Sequence, residues 1–405
     1  MSELCVKCKG RGFCGKPCKI LARIKKFQPK VNLDFSGSSP PEIFVGYHNY
    51  PNLFSGILAP AEMGKTENMS MPELWFQKQA SIEDILNSRA RMIYSRFTVN
   101  IKEKKNKFLD AMQEISLSNK AVDASFELKK KPVMRIDLSS HTAMVGNPAP
   151  LKSVKIESNI KVERKVDYLV NDTDVNASKA IEEMYEFGIP VSQIMKILTA
   201  GMLGLKTQRK LVPTRWGITA VDDSLSKKML ENIRHYQEIS EVLLFHGDYL
   251  GNYYEVFFIP GCWSYEVIEI SSSGYFGEGV GIGKEKEPAT WQDYEFFSGR
   301  KEYASSVTGG YYAARLPITE YLEKIKRQAT VLVFRDVSEE YWAPCGVGIL
   351  RELMRGLLKK QPERFNSFED ALKVSINRFH LPIENWTNKS FLLKEIKEQK
   401  RLFQF

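Results

Sequence analysis

Apolar positions along this chain follow two periods, and the changes between them outline its elements. Glu42-Ile-Phe-Val-Gly46 carries the pattern of a short buried strand, after a stretch, Ser36-Gly-Ser-Ser-Pro-Pro41, whose composition predicts a turn-rich junction. Ser81 opens a helix: Ser81-x-x-Asp84 resembles a capping box, and Ile82, Ile85 and Leu86 fall on one face. A second amphipathic stretch covers 105–115. Across 132–168 apolar and polar residues alternate, at 133–137, 154–156 and 160–162, which predicts several strands. Helical spacing returns at 177–188, at 191–203 behind Pro190, and at about 220–237. Strand patterns at 241–246, 252–260 and 264–270 read as a hairpin-rich antiparallel block. A glycine-rich loop, 274–283, follows, then a helix at 317–327, a strand at 329–336, and helices at 346–359 and 367–379. Without regular strand–helix alternation this is an α+β fold, a mixed α/β core containing an antiparallel sheet block.

Two ends stand outside that core. Four of the six cysteines fall in the first 18 residues, as Cys5-x2-Cys8-x5-Cys14-x3-Cys18. Thiols so close in a cysteine-poor chain predict one tetrathiolate metal site, with zinc as the expected ion and an iron–sulfur cluster as the alternative. Gly10, Gly12, Gly15 and Pro17 supply turns between these ligands. Residues 1–30 also hold nine Lys/Arg against one acid, Glu3, which is +8 of a whole-chain +9. Cations at that density neutralise phosphates, so the module reads as a basic arm that contacts nucleic acid. The expected organisation is a metal module at 1–30, a core at 31–387 that can divide near 170, and a tail at 388–405.

That tail ends Gln399-x-x-Leu402-x-x-Phe405. A single helical turn would place Leu402 and Phe405 in an apolar pocket with Gln399 hydrogen-bonded at its rim, the pattern by which repair and replication proteins dock on the DNA sliding clamp (PCNA). No run of 18 apolar residues and no apolar leader are present, and Cys262 and Cys345 suggest no disulfide framework, so a reducing cytoplasm without membrane contact is expected.

With both ends in hand, several segments carry a resemblance: Ser39–Gly46, Lys210-Leu-Val-Pro-Thr-Arg-Trp-Gly-Ile-Thr-Ala-Val-Asp-Asp223, Gly310–Pro317, Trp342-x-Pro344-x-Gly-Val347, the cysteine cluster and the tail. Across essentially its whole length the chain resembles the Nre family of archaeal DNA repair proteins. The resemblance implies a cytoplasmic protein acting in DNA damage repair and bound to the clamp by its tail. It implies no defined chemical activity.

Any chemistry would lie in the core. Lys210 and Arg215 beside Trp216, before a helix expected to open near Thr219, form a candidate phosphate site, and Gly217 permits close backbone approach. Asp222 and Asp223, with His246 and Asp248 after an expected strand end, are candidate ligands for a metal-dependent nuclease, phosphodiesterase or nucleotide-processing enzyme, though helix caps and turns use the same residues. Tyr311, Tyr312 and Arg315 offer a stacking clamp for a nucleotide, or a buried core pair. Cys345 reads as an inert buried thiol, and the 274–283 loop lacks the Lys-Ser/Thr of a nucleotide-binding loop. The readings in contention are a clamp-recruited DNA repair factor, an enzyme with its site near Lys210–Asp223, and an RNA-binding zinc protein.

Overall fold

The computed structural model describes residues 25–103, 105–133, 144–271 and 288–398, together with Gly15, Pro17, Cys18, Leu21 and Ala22. Two compact units emerge: an N-terminal unit, Pro17–Leu225 with Pro344–Ile349, and a C-terminal unit, Ser226–Ala343 with the chain from Leu350 onward.

In the N-terminal unit the strands are β1 (Asp34–Ser39), β2 (Glu42–Val45), β3 (Asn52–Pro60), β4 (Met92–Asn100), β5 (Val122–Leu128) and β6 (Asn147–Ile156). They form one sheet in the order β1-β5-β6-β4-β3-β2, antiparallel except where β4 runs parallel to β6. Its helices are α1 (Pro72–Gln77), α2 (Ile82–Arg91), α3 (Lys107–Leu117), α4 (Arg164–Asn171), α5 (Ala177–Glu186), α6 (Val191–Thr199) and α7 (Thr214–Ile233), whose last turns belong to the next unit. Leu109, Met112 and Ile115 of α3 close a core with Ile43, Leu53, Ile57, Phe97 and Phe126 of the sheet. The Ser81 capping box forms: its hydroxyl accepts from the Asp84 amide and the Asp84 carboxylate from the Ser81 amide.

Several expectations are corrected here. Ser36–Ser39 is strand β1 and no junction. Its hydroxyls are taken up by neighbours, Ser36 by Ser125 and Ser39 by the Leu58 carbonyl, and Gly37 is pressed on Pro60, where a Cβ would meet the carbonyl oxygen at 1.8 Å. Residues 160–162 form no strand and lead into α4. Helix α7 opens at Thr214, five residues before the anticipated Thr219, and α6 stops at Thr199. The strands 52–60, 92–100 and 122–128 were not anticipated. The 133–137 pattern falls almost wholly outside the described residues, and the 274–283 loop entirely so.

The C-terminal unit holds β7 (Val242–Tyr249), β8 (Asn252–Ile259), β9 (Ser264–Ser271), β10 (Ala289–Glu295), α8 (Gly309–Ile325), β11 (Thr330–Val337), most of α9 (Val347–Leu358), β12 (Glu363–Phe365), α10 (Phe368–Ser375), α11 (Glu384–Thr387) and α12 (Phe391–Glu398). Sheet order is β10-β9-β11-β8-β7-β12. The anticipated antiparallel block is therefore interrupted: β11 lies between β8 and β9, parallel to β9. The α+β class holds, with two mixed sheets. Helix α8 begins eight residues before Pro317, which sits inside it, although a proline commonly marks a first turn. Helix α10 ends at Ser375 in a short 3-10 turn, Ile376–Arg378. One sheet face is apolar, with Val242, Leu244, Phe257, Ile268, Leu332 and Phe334 packed against Ala371, Trp386, Leu392 and Leu393. The segment anticipated as a tail thus includes a helix, α12, that packs into the core. Among the described residues no helix is long and apolar enough to cross a membrane.

Candidate nucleic-acid interface

The β2–β3 hairpin turns through Gly46-Tyr-His-Asn-Tyr-Pro51, where every residue from Tyr47 to Pro51 is exposed. Asn49 takes the left-handed conformation, φ +63°, which asparagine tolerates better than most residues, and its carbonyl accepts from the Asn52 amide at 2.9 Å. The Gly46 amide donates to the Phe54 carbonyl at 2.8 Å. The hairpin is tied to the start of α7, because the Val45 amide donates to Thr214 Oγ1 at 2.9 Å. Gly217, one turn on, lies against α6, and a Cβ there would sit 2.6 Å from Thr199 Oγ1.

These anchors bring two distant segments together. The Arg215 guanidinium lies 5.6 Å from the centre of the Tyr47 ring, which is itself 4.1 Å from the His48 ring, and Trp216 packs against Tyr50 at 5.8 Å. Tyr47, Tyr50 and Trp216 are 37%, 49% and 48% exposed. Lys210 stands in solvent, its chain fixed by the buried Leu211, whose amide donates to the Ile101 carbonyl at 2.9 Å. Among the described residues no carboxylate pairs with Lys210 or Arg215. Exposed rings beside free cations can stack on flat groups and hold phosphates. The hairpin half of this surface gave no signal in the sequence, because its aromatics are separated from Arg215 by over 160 positions.

The other candidates lie elsewhere. Asp222 and Asp223 fall two turns into α7, beyond its first turn; Asp222 is buried, and both are engaged in contacts. In the C-terminal unit Tyr311, Tyr312 and Arg315 are buried on α8. The Arg315 guanidinium lies 5.3 Å and 5.4 Å from the two tyrosine rings, and its Nη1 is 2.8 Å from Glu295 Oε2. Trp263 Nε1 donates to the other Glu295 oxygen at 3.1 Å. A second buried pair, Arg335–Glu269 at 2.6 Å, lies on the same sheet face, and burial drives the Tyr311 hydroxyl far above its ordinary range. These groups fill the interior.

His246 and Asp248 lie inside β7 and not after its end, on the face that also carries Glu255 of β8. His246 Nε2 is 3.6 Å from Glu363, whose two oxygens accept from Arg378 at 2.8 Å and 3.1 Å. Partial burial, then the neighbouring Arg378 charge, holds the His246 imidazole below its usual pKa. Burial pushes the Glu255 carboxyl up to about 7, against the opposing pull of Arg378 and of the Ser375 hydroxyl at 2.9 Å. Nearby, the buried Asp336 accepts from both the His380 amide at 2.8 Å and its Nδ1 at 2.9 Å, while the Tyr253 ring stands 4.6 Å from that imidazole. This arrangement fixes a tautomer and can move protons. Glu255, Asp336 and His380 escaped sequence reasoning. The one available signal was charge inside apolar strands, at Glu255 and Asp336.

Among the described residues no three His, Cys, Asp or Glu side chains come together to hold a metal ion, and the candidate ligands divide between the units: Asp222 and Asp223 in one, His246 and Asp248 in the other. Of the cysteine cluster only Cys18 is described, half-buried, with its Sγ 3.4 Å from the Leu21 amide. Cys5, Cys8 and Cys14 lie outside the described residues, as do Gln399, Leu402 and Phe405. Cys345 is buried, and burial raises its thiol far above the usual range.

Residues 13–275 match the archaeal Nre N-terminal family and residues 295–405 the archaeal Nre C-terminal family. The chain is 35% identical to DNA repair protein NreB of Archaeoglobus fulgidus over 99% of both chains. It is 34% identical to DNA repair protein NreA of the same organism, over 93% of this chain and 94% of the relative. Against DNA repair protein NreA of Haloferax volcanii the identity is 32%, over 87% and 86%. No solved structure matches the chain.

Proposed function

Since this chain belongs to the archaeal Nre family, we propose that it is a DNA repair factor that grips DNA through the Tyr47–Tyr50 and Lys210–Trp216 surface while the sliding clamp (PCNA) holds its C-terminus. The observation that carries this reading is the exposed aromatic set beside a half-buried Arg215 with no carboxylate partner among the described residues. The tail reading gains support from α12: the Phe391 and Leu392 amides donate to Glu266 at 2.9 Å and 3.2 Å, Leu392 and Leu393 are buried, and the helix ends at an exposed Glu398. Gln399, Leu402 and Phe405 follow Glu398 in the sequence and lie outside the described residues. Cys5, Cys8, Cys14 and Cys18 hold a structural zinc ion in this reading, and the basic residues around them add phosphate contacts. Two weak contacts on one chain raise occupancy at a clamp-loaded site through effective concentration.

Deleting Gln399–Phe405 abolishes capture by immobilised clamp and leaves DNA binding intact; undiminished capture would overturn the docking claim. Elemental analysis of purified chain should find zinc that is lost in Cys5→Ser with Cys8→Ser, and iron with sulfide would displace zinc from the account. Tighter binding to RNA than to DNA at matched salt would move the protein to the RNA-binding reading.

A second reading is favoured by one observation, the exposed His380 imidazole held by buried Asp336. It is hydrolysis of a nucleotide or phosphodiester, with His380 accepting the proton of the attacking water. His380→Gln should then remove turnover without altering DNA affinity, and turnover that survives this change would exclude His380 from the chemistry.

A further inference from the structure

Resting on the DNA-contact reading of the same surface, we infer that it is a platform for unpaired bases, so that the preferred ligand is single-stranded DNA and not duplex. Three observations meet here. The first is the rings themselves. Tyr47, Tyr50 and Trp216 remain between a third and a half exposed, and Trp216 and Tyr50 lie against each other. Ring faces left in water gain by stacking on flat partners. In a duplex each base face is already covered by its neighbours, so such rings would meet only edges and backbone. A single strand offers the faces.

The second is charge. No acid occurs between Ile43 and Ala61, nor between Phe187 and Val221, where five cations lie: Lys196, Lys206, Arg209, Lys210 and Arg215. Lys196 is held by Glu42 at 3.0 Å, and the Arg209 guanidinium is spent on the carbonyls of Gly204, Val170 and Asp172, each at 2.8 Å. Among the described residues no carboxylate pairs with Lys206, Lys210 or Arg215. Arg215 adjoins the rings, Lys210 stands exposed six residues before Trp216, and both are available to phosphates. Arg215 also lies over Tyr47, which makes a mixed stacking and charge site suited to a nucleotide.

The third is rigidity. The hairpin is pinned by the Val45–Thr214 and Gly46–Phe54 bonds, and α7 is seated on α6 at Gly217. A platform already ordered before binding loses little entropy when bases settle on it.

The test uses full-length zinc-loaded protein with a fluorescent oligo-dT of about twelve nucleotides, within the range of known single-strand sites, and a duplex of equal length, by anisotropy at matched salt. Trp216→Ala with Tyr50→Ala should cut oligo-dT affinity by about twentyfold or more, since each stack contributes about 1–3 kcal/mol, and duplex affinity by less than about threefold. Trp216→Phe should restore most of the oligo-dT affinity, which separates stacking from misfolding. Lys210→Ala should weaken both ligands alike and flatten the salt dependence. Equal losses on both ligands from the aromatic pair would overturn the stacking claim and leave the DNA-contact reading standing. No loss on either would remove DNA from this surface and overturn both. Tighter binding of oligo-U than of oligo-dT would overturn DNA as the preferred strand.

Discussion

Arg215 and Arg315 are the same residue type beside the same kind of neighbour, two aromatic side chains, yet they do opposite work. Arg315 is sealed in the C-terminal unit, its charge matched by Glu295 and its faces covered by Tyr311 and Tyr312. Arg215 lies at the rim of the N-terminal unit, against an exposed Tyr47 and next to an exposed Trp216, with no carboxylate partner among the described residues. A buried arginine without its acid would be prohibitively costly, so the first arrangement is a matter of stability. A half-buried arginine that still reaches water needs no acid beside it and stays available to an anion. Local sequence does not distinguish the two cases. Burial does.

The largest expected effect breaks the buried side of this comparison. Arg315→Ala leaves Glu295 buried and uncompensated and should destabilise the C-terminal unit by about 3–5 kcal/mol in urea unfolding. A midpoint within error of the parent would show that Glu295 finds another partner. A second effect concerns pH. Folded Glu255 keeps its proton up to about pH 7, whereas the unfolded carboxyl loses it near its ordinary value of 4.5. The folded state then binds more protons in that window, so Glu255's contribution is full at low pH and is lost as pH rises through about 7, a change of up to roughly 3 kcal/mol. Glu255→Gln should flatten this fall between pH 5 and pH 8; an identical slope in the variant would place the titrating group elsewhere.

Next come two glycines that sharpen the contrast. A Cβ at Gly310 would meet Glu269 Oε1 at 2.6 Å, on a carboxylate locked to Arg335, so Gly310→Ala should cost about 1–3 kcal/mol. At Gly217 the same 2.6 Å contact is with the Thr199 hydroxyl, which can turn aside, so Gly217→Ala should cost less than Gly310→Ala in thermal unfolding. Equal costs would mean that α6 and α7 are as tightly locked as the buried ion pairs. The smallest effect belongs to the exposed set. Trp216→Ala should change stability by less than about 0.5 kcal/mol, and a larger loss would assign Trp216 to the core.

Much of the frame was legible in the chain. The capping box at Ser81, the helices on 105–115 and 177–188, and the strands β7, β8, β9 and β11 follow from periodicity and caps, which are local, whereas β10 and β12 of the same sheet were not anticipated. What escaped was set by partners far away. Ser36-Gly-Ser-Ser reads as a turn until Ser125 and Leu58 are there to receive its hydroxyls. Strand β11 enters between β8 and β9 through a pairing that spans some 70 residues, which no spacing announces. The helix expected at 317–327 begins eight residues earlier, at Gly309, and Gly310 within it is packed on Glu269, a partner on a distant strand. The candidate interface was half visible: Lys210, Arg215 and Trp216 stood out by composition, while Tyr47 and Tyr50 gained meaning from the Val45–Thr214 bond. The pairing of His380 with Asp336 was invisible because the two residues lie 44 positions apart.

The most direct measurement maps where single-stranded DNA touches the chain. An oligo-dT carrying 5-iodouracil is bound to the full-length protein, irradiated, and the crosslinked peptides are identified by mass spectrometry. Crosslinks at Tyr47, Tyr50 or Trp216 are the predicted result. Crosslinks confined to other parts of the chain, with none on the hairpin or the first turn of α7, would contradict the account.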